Sequence, residues 1–580
     1  MSGKIQEITE RSFDAWHFIM VNDEKRNGAF KEAIEQALKA NPKEKRTVVD
    51  IGCGSGLLSA YASRADANTV IAIEENETMH ALAEEVFRKN SCENVTLFKG
   101  HSSLFKLPDE EKCDILVTET LDCAAFGEGI ISTVHDAHCR LLTPTSIVIP
   151  NKVELSFAII YCKDFLKYHC YESPRGCILS NYADRPGLVS TDPYWCCYLK
   201  EMPHEVEYFT DSIPAMTCNL QSRTELKKLI TQGLKRKFEA KILKDGEACA
   251  IVAWWKANLF GDVEIDTAPS NNTCWEQAVF PFPKPVFVKE GDTMNVTMKL
   301  KKNAIRFYTD AKQNDKFCAQ TIKDEGVIAL MNSTDVKNFI ESAIEDVPED
   351  ARILDMTNLP SISLLLQERF SNVNTCGTGE DILEVGRRMG IKYDNDEAVQ
   401  TGVDCIIHWP ITAASTLNIT SLAMLSDIQQ SCPEATLIPS QVTITGYLIE
   451  SDLLYQKTHL IPTAQHGVNI TGLSQLNLFH YEDIVINAKN YKKLSEKVVL
   501  RNVDFKKRNE DSQVVKITAA AKGKAMGILY HITTGADYSS ERELNLSLVV
   551  FPDLINIDEG SEITVGSCFI GDKLIFTKTG

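Results

Sequence analysis

This 580-residue chain is short of positive charge: 61 lysines and arginines stand against 80 aspartates and glutamates, a formal net charge of −19. That balance disfavours nucleic acid as a direct partner and suits a basic one, such as an arginine-rich tail. Ordinary solubility of an acidic protein accounts for the same charge. The eighteen cysteines include no CxxC pair, which argues against a zinc ribbon and gives no metal site to expect. No apolar run reaches membrane-spanning length, and Met1 to Glu7 carry no apolar signal core. The expectation is therefore a protein of the cytoplasm and nucleus with reduced thiols, no membrane partner and idle sequons at Asn94 and Asn295. What the chain has is size: at 44% hydrophobic it can fill three or four compact units.

The most informative stretch is Val48-Val49-Asp50-Ile51-Gly52-Cys53-Gly54-Ser55-Gly56-Leu57-Leu58-Ser59. An apolar strand-like run meets a turn with glycine at every second position, where a backbone can approach a ligand before the next helix begins. A second strand, Thr69 to Ile73, delivers Glu74 about two dozen residues after Asp50, in place for ribose hydroxyls. The GxGxG spacing with that acid suits S-adenosylmethionine better than a dinucleotide. Upstream, Phe13 to Asn27 runs into a helix whose Phe30, Ala33, Ile34, Ala37 and Leu38 share a face, so this segment can form a lid. Within it Arg26 is a candidate fork for the cofactor's carboxylate; an exposed arginine at a helix start is the alternative.

Asp114 to Glu119 reads as an apolar strand ending in an acid, and a small-residue loop returns a second acid at Glu128. Strand ends of an open α/β sheet face the ligand crevice, and two carboxylates there can grip one planar guanidinium. Two solvated loop acids are the competing reading.

Together, DIGCGSGLLS, the lone Glu74, VTETLDCAAFGE and the lid MVNDEKRN resemble the protein arginine methyltransferase family. The resemblance implies cofactor contacts by Met20, Arg26, Asp50, Gly52, Gly54, Glu74 and Ser102, catalytic roles for Glu119 and Glu128, and substrate contacts by Asp122 and Trp275. It also implies a β-barrel after Pro150, consistent with the alternation from Val153 to Tyr161, and a pairing arm over 162–202. The family's Thr-His-Trp loop reads Thr273-Cys274-Trp275 here, so the support that histidine gives the loop acids is missing.

The remaining residues repeat this plan in worn form. Thr357, Leu359 and Ser361 stand where Gly52, Gly54 and Gly56 do; Val336 falls opposite Arg26, Trp409 opposite Glu119 and Leu544 opposite Trp275. Ile438-Pro439 mirrors Ile149-Pro150, and Asp558-Glu559-Gly560 mirrors Lys289-Glu290-Gly291. The turn Cys376-Gly377-Thr378-Gly379 reads as a turn without a matching strand. Some family members carry a cysteine-rich zinc site in the second module; here no cysteine follows Pro439 until Cys568, so none is expected.

The expected fold is α/β plus β. Two tandem modules each pair a Rossmann-type methyltransferase domain with a β-barrel, and the second module is degenerate. The bounds are 1–149 and 150–308 for the first module, 309–345 for the joint, and 346–439 and 440–580 for the second. The expected function is S-adenosylmethionine-dependent monomethylation of arginine in arginine-rich proteins such as histone tails or RNA-binding proteins, by a monomeric pseudodimer. A small-molecule methyltransferase and a noncatalytic scaffold are the alternatives.

Overall fold

Runs such as Val48-Val49 and Ile115-Leu116-Val117 are apolar at successive positions, which suits strands covered on both faces, and each of these residues is fully buried. Five strands form one parallel sheet: β1 (Thr47–Ile51), β2 (Thr69–Glu74), β3 (Val95–Lys99), β4 (Cys113–Thr118) and β5 (Leu142–Ile149). Their order is β3-β2-β1-β4-β5, so the chain reverses direction across the sheet between β1 and β4. A crevice opens beyond the carboxyl ends of strands at such a reversal. The computed structural model describes residues 16–40, 46–107, 112–174, 178–180, 194–310, 325–393, 402–476, 480–484, 490–507, 512–535, 538–543, 546–570 and 573–578.

From Lys152 the period changes to two, and a seven-stranded and a three-stranded antiparallel sheet close the barrel of the first module. The plan then recurs. Strands Asn372–Thr375, Arg352–Met356, Cys405–His408 and Thr436–Ile438 make a parallel sheet in that order, followed by a second pair of seven- and three-stranded sheets. The tandem architecture is thus present, with four strands in the second parallel sheet among the described residues. Matching details persist: Ile149-Pro150 and Ile438-Pro439 are both cis, and Gly291 and Gly560 have φ of 83° and 85°. One expectation fails. The Cys376–Gly379 turn does follow a strand, Asn372–Thr375, and leads into helix Glu380–Met389. That short strand has little apolar character, so its periodicity was too weak to register.

The lid is two helices, α1 (Trp16–Asn22) and α2 (Glu24–Ala40), the second burying Phe30, Ala33, Ile34, Ala37 and Leu38 as its periodicity requires. The second module covers α1. Asn22 at its end donates from Nδ2 to the carbonyls of Gln456 (2.8 Å) and His459 (2.6 Å), the last turn of helix Asp452–Thr458. The mirror contact also exists: Asn332, after helix Glu325–Met331, donates to Lys167 (2.9 Å) and Cys170 (2.8 Å), the last turn of helix Lys163–His169 in the first module. Carbonyls in the last turn of a helix lack intrahelical partners, so each asparagine satisfies two of them across the module boundary. A buried ion pair, Lys457 to Glu201 at 2.7 Å, lies beside the Asn22 contact. Asn332→Ala is expected to lower the unfolding free energy by about 1–3 kcal/mol, the loss of two hydrogen bonds across the module boundary. Chemical denaturation checks this, and an unchanged midpoint assigns the contact no weight.

Candidate active site

The glycine turn after β1 is tied to β2 by backbone bonds from Gly52 and Cys53 to the Ile73 carbonyl, both 3.0 Å. Gly52 and Gly54 have φ of 75° and 54°, in the left-handed region that side chains avoid, and a Cβ on Gly52 would press on Thr120 Cγ2 at 3.0 Å. Glu74 ends β2 and its carboxylate accepts from Gly54 N (2.8 Å) and Asn76 N (2.7 Å). Each oxygen keeps a lone pair, so the acid both fixes the turn and can still receive hydroxyls. Met20 is half-buried in α1, and Ser102 is buried at the start of a short 3-10 turn whose carbonyl accepts from Arg140.

Asp50 is fully buried. Its Oδ2 accepts from Ser59 Oγ at 2.6 Å, while Oδ1 has no partner among the described residues. Burial pushes its carboxyl up to about 7. The folded state therefore holds the proton more tightly than the unfolded chain, and ionising Asp50 costs stability progressively between about pH 4 and pH 7. Above that window the cost is constant. Asp50→Asn removes it, so the stability gap between variant and wild type is expected to shift towards the variant as pH rises through the window. Thermal melts across that range check this; a gap independent of pH overturns it.

Arg26 is buried rather than exposed, and it is paired: Nη2 donates to Glu119 Oε2, and Nη1 donates to Asn27 Oδ1 at 2.8 Å. Its Nε has no partner among the described residues. Burial opposes the charge, and the Glu119 carboxylate more than offsets it, so Arg26 stays protonated. The guanidinium lies over the rings of Phe30 (5.6 Å) and Trp275 (5.9 Å). Trp275 is held in place by its Nε1–H to the Leu121 carbonyl at 2.7 Å and by edge contact with Trp255. Trp255 in turn donates to the Asp122 carbonyl at 2.8 Å.

The loop between the two acids is closed by Asp122, which accepts from Gly127 N (3.0 Å) and from the Tyr194 hydroxyl. Its carboxylate is used to shape the loop. Glu119 is buried against Arg26, whereas Glu128 is exposed at the loop's far end. Residues 272–276 are not strand: Cys274 N donates to Asp23 Oδ2 at 2.7 Å, which bends this segment towards the lid before the strand Gln277–Val288 begins. Burial pushes the Cys274 thiol well up, so it stays neutral and supplies no base.

Asp23 is the residue that the sequence reading missed. Its other oxygen accepts from Arg26 N at 2.9 Å, an N-cap bond that orients Arg26 at the start of α2. An aspartate before an amphipathic helix signals the cap; the bond to Cys274, far away in sequence, leaves no signal. Tyr194 was missed for the same reason.

Residues 206–312 match the model of the arginine methyltransferase oligomerization subdomain. Residues 32–139 match that of ribosomal protein L11 methyltransferase. Protein arginine N-methyltransferase 9 of Xenopus laevis is 30% identical over 311 residues, 49% of this chain and 37% of that protein. The arginine N(omega)-methyltransferase of Streptomyces achromogenes is 29% identical over 292 residues, 50% of this chain and 76% of that one. Along about half of its length the chain is similar to protein arginine N-methyltransferases. Protein arginine N-methyltransferase 7 of rice is 25% identical over 368 residues, 56% of this chain and 50% of that protein. The matched part spans well under two thirds of the Xenopus relative. A solved structure, the Trypanosoma brucei PRMT1 enzyme-prozyme heterotetrameric complex with AdoHcy, superposes with a TM-score of 0.40 at 20% identity, over 52% of this chain and 96% of that one.

In the second module other side chains stand at the corresponding positions. Thr357 stands in the place of Gly52 and its hydroxyl donates to Asp355 Oδ1 at 2.7 Å. Val336 and Trp409 are buried and apolar where the first module has Arg26 and Glu119, and Trp409 packs edge-on to Tyr538 and Phe339. Leu544 lies outside the described residues.

Proposed function

We propose that the first module is an S-adenosylmethionine-dependent arginine methyltransferase that adds a single methyl group to arginine-rich protein segments such as histone tails. The observation that carries this is the buried Arg26–Glu119 pair under Trp275, at the strand ends beside the glycine turn. It places one fixed cation and one fixed anion where an amino-acid cofactor and a guanidinium substrate each need the opposite charge. The buried, partnerless Arg26 Nε and Asp50 Oδ1 fit a polar ligand. Arg26 would hold its carboxylate, Glu74 its ribose hydroxyls, and Gly52 and Gly54 would let it close on the backbone. Met20, Asp50 and Ser102 would line the same place.

When bound, S-adenosylmethionine supplies a methyl on a positively charged sulfur. Glu119 and Glu128 would hold the substrate guanidinium and draw its charge towards two of its nitrogens, leaving the third to attack. Arginine is protonated at neutral pH, so a proton has to leave, and a loop carboxylate is the acceptor at hand because Cys274 stands where the family has histidine. Glu74→Ala is expected to weaken cofactor binding by about 1–3 kcal/mol, with the loss of hydroxyl contacts and of the Gly54 tether. Calorimetry checks this; unchanged affinity puts the ribose elsewhere.

The second module, with its turn and acid positions filled, is read as noncatalytic. Its docking on α1 supports a monomeric pseudodimer, which light scattering tests directly. A second reading has its own support: the Streptomyces relative is named for arginine itself. Labelled cofactor offered with an arginine-rich peptide, its lysine counterpart and free arginine separates the two. Label in the arginine peptide alone, with a mass gain of one methyl, is the expected result. Label in free arginine alone favours the small-molecule reading, and label in none overturns both.

A further inference from the structure

Cys123, Cys196 and Glu276 come from three segments far apart in sequence, yet one Sγ from each cysteine and one carboxylate oxygen all lie within 4.8 Å of one another. The strand pairing explains part of this. Trp195–Cys197 runs antiparallel to Gln277–Val288 with Cys197 opposite Gln277 and Cys196 opposite Ala278. Side chains alternate across a sheet, so Cys196 and Glu276 share one face as diagonal neighbours. Cys197 and Gln277 take the other, where Cys197 joins an apolar cluster and Gln277 bonds Leu199 N and the Thr267 carbonyl. Cys123 reaches the first face from the loop that joins Glu119 to Glu128.

We propose that Cys123, Cys196 and Glu276 bind a thiophilic divalent cation of the zinc type, with a fourth position left to water. Two sulfurs and one carboxylate oxygen are a ligand set that zinc accepts and that calcium and magnesium do not. Tetrahedral zinc with bonds of about 2.3 Å needs thiolates ~3.8 Å apart, so the cluster closes with movements of an ångström or less. Binding exchanges the two thiol protons for the cation.

The ion would fasten the loop that carries both acids to the segment that carries Trp275, which is next to Glu276. That loop is already held by Tyr194 on Asp122 and by Trp275 on Leu121. The inference concerns binding alone and stands whether or not the methyltransferase reading does.

The test uses the full-length protein, stripped with chelator and titrated with cobalt(II) alone. One equivalent is expected to bind with a thiolate-to-cobalt charge-transfer band, to be displaced by zinc, and to bind more tightly as pH rises. Cys123→Ser and Cys196→Ser should each weaken binding by at least about 100-fold, and Glu276→Gln by about tenfold or more. The exposed Cys139→Ser is the control and should bind like wild type. Circular dichroism verifies that each variant folds. If wild type shows no thiolate band, or if neither cysteine variant differs from the control, the proposal is wrong.

Discussion

Glu119→Gln is expected to cut turnover by about 10²–10³-fold, the usual loss when one fixed electrostatic contact to a reacting group is removed. The structure adds a second consequence that distinguishes Glu119 from Glu128. In the free protein Glu119 is the charged partner of buried Arg26, so the variant leaves a guanidinium without a counter-ion in a dry site. Breaking one side of a buried pair costs about 3–5 kcal/mol. A ligand carboxylate restores the missing charge, so S-adenosylmethionine should raise the melting temperature of Glu119→Gln by more than it raises that of wild type. Glu128 is exposed, and Glu128→Gln should lose turnover with a wild-type melt and an ordinary ligand shift. If cofactor affinity collapses in either variant, the acids belong to the cofactor and the assignment to substrate fails.

Much of this site was legible because its chemistry is local. The glycine turn and Glu74 sit at the ends of adjacent strands, and a strand-to-turn-to-helix pattern announces itself in a dozen residues. Arg26 was legible as a cation for a carboxylate, but its pairing with Glu119 was not. Two residues, one on a helix start and one at a strand end, meet only because α2 packs across the sheet. The same holds for Asp23 on Cys274, Tyr194 on Asp122 and the Cys123–Cys196–Glu276 cluster, each made by separate elements with no fixed spacing. Asp122 illustrates the limit in the other direction. Its place in the loop suggests substrate contact, and only the structure shows its oxygens occupied by Gly127 and Tyr194.

Cutting the chain between residues 311 and 324 and isolating the first part should remove most of the activity, which adding the second part restores. A cut at residue 330 would be a poorer test, because it divides helix Glu325–Met331, which contacts the end of helix Lys163–His169 in the first module through the adjoining Asn332. The physical basis is the lid. Besides Asn22, the Val21 carbonyl accepts from Gln465 Nε2 at 2.9 Å, and Asn27 donates to the Ala464 carbonyl at 3.0 Å. Asn27 is also the residue that Arg26 Nη1 bonds. Alone, the first part keeps Glu119 and Glu128 but loses the partners that order α1, and Glu201 loses its ion-pair partner Lys457. A helix of about two turns does not hold its shape in water by itself. Full activity in the isolated first part would show that the lid closes unaided.

The roof over α1 also sets when, during synthesis, the site can be finished. The first barrel ends near residue 309, whereas the groups that hold Asn22 lie at Gln456 and His459. A ribosome adding about 5–20 residues per second needs roughly 7–30 s to cover that distance. Throughout that interval the nascent first module has its sheet, its glycine turn and both acids, but no roof. A chain released early by a premature stop would carry every residue assigned to catalysis and still be a protein with an open, unfinished pocket.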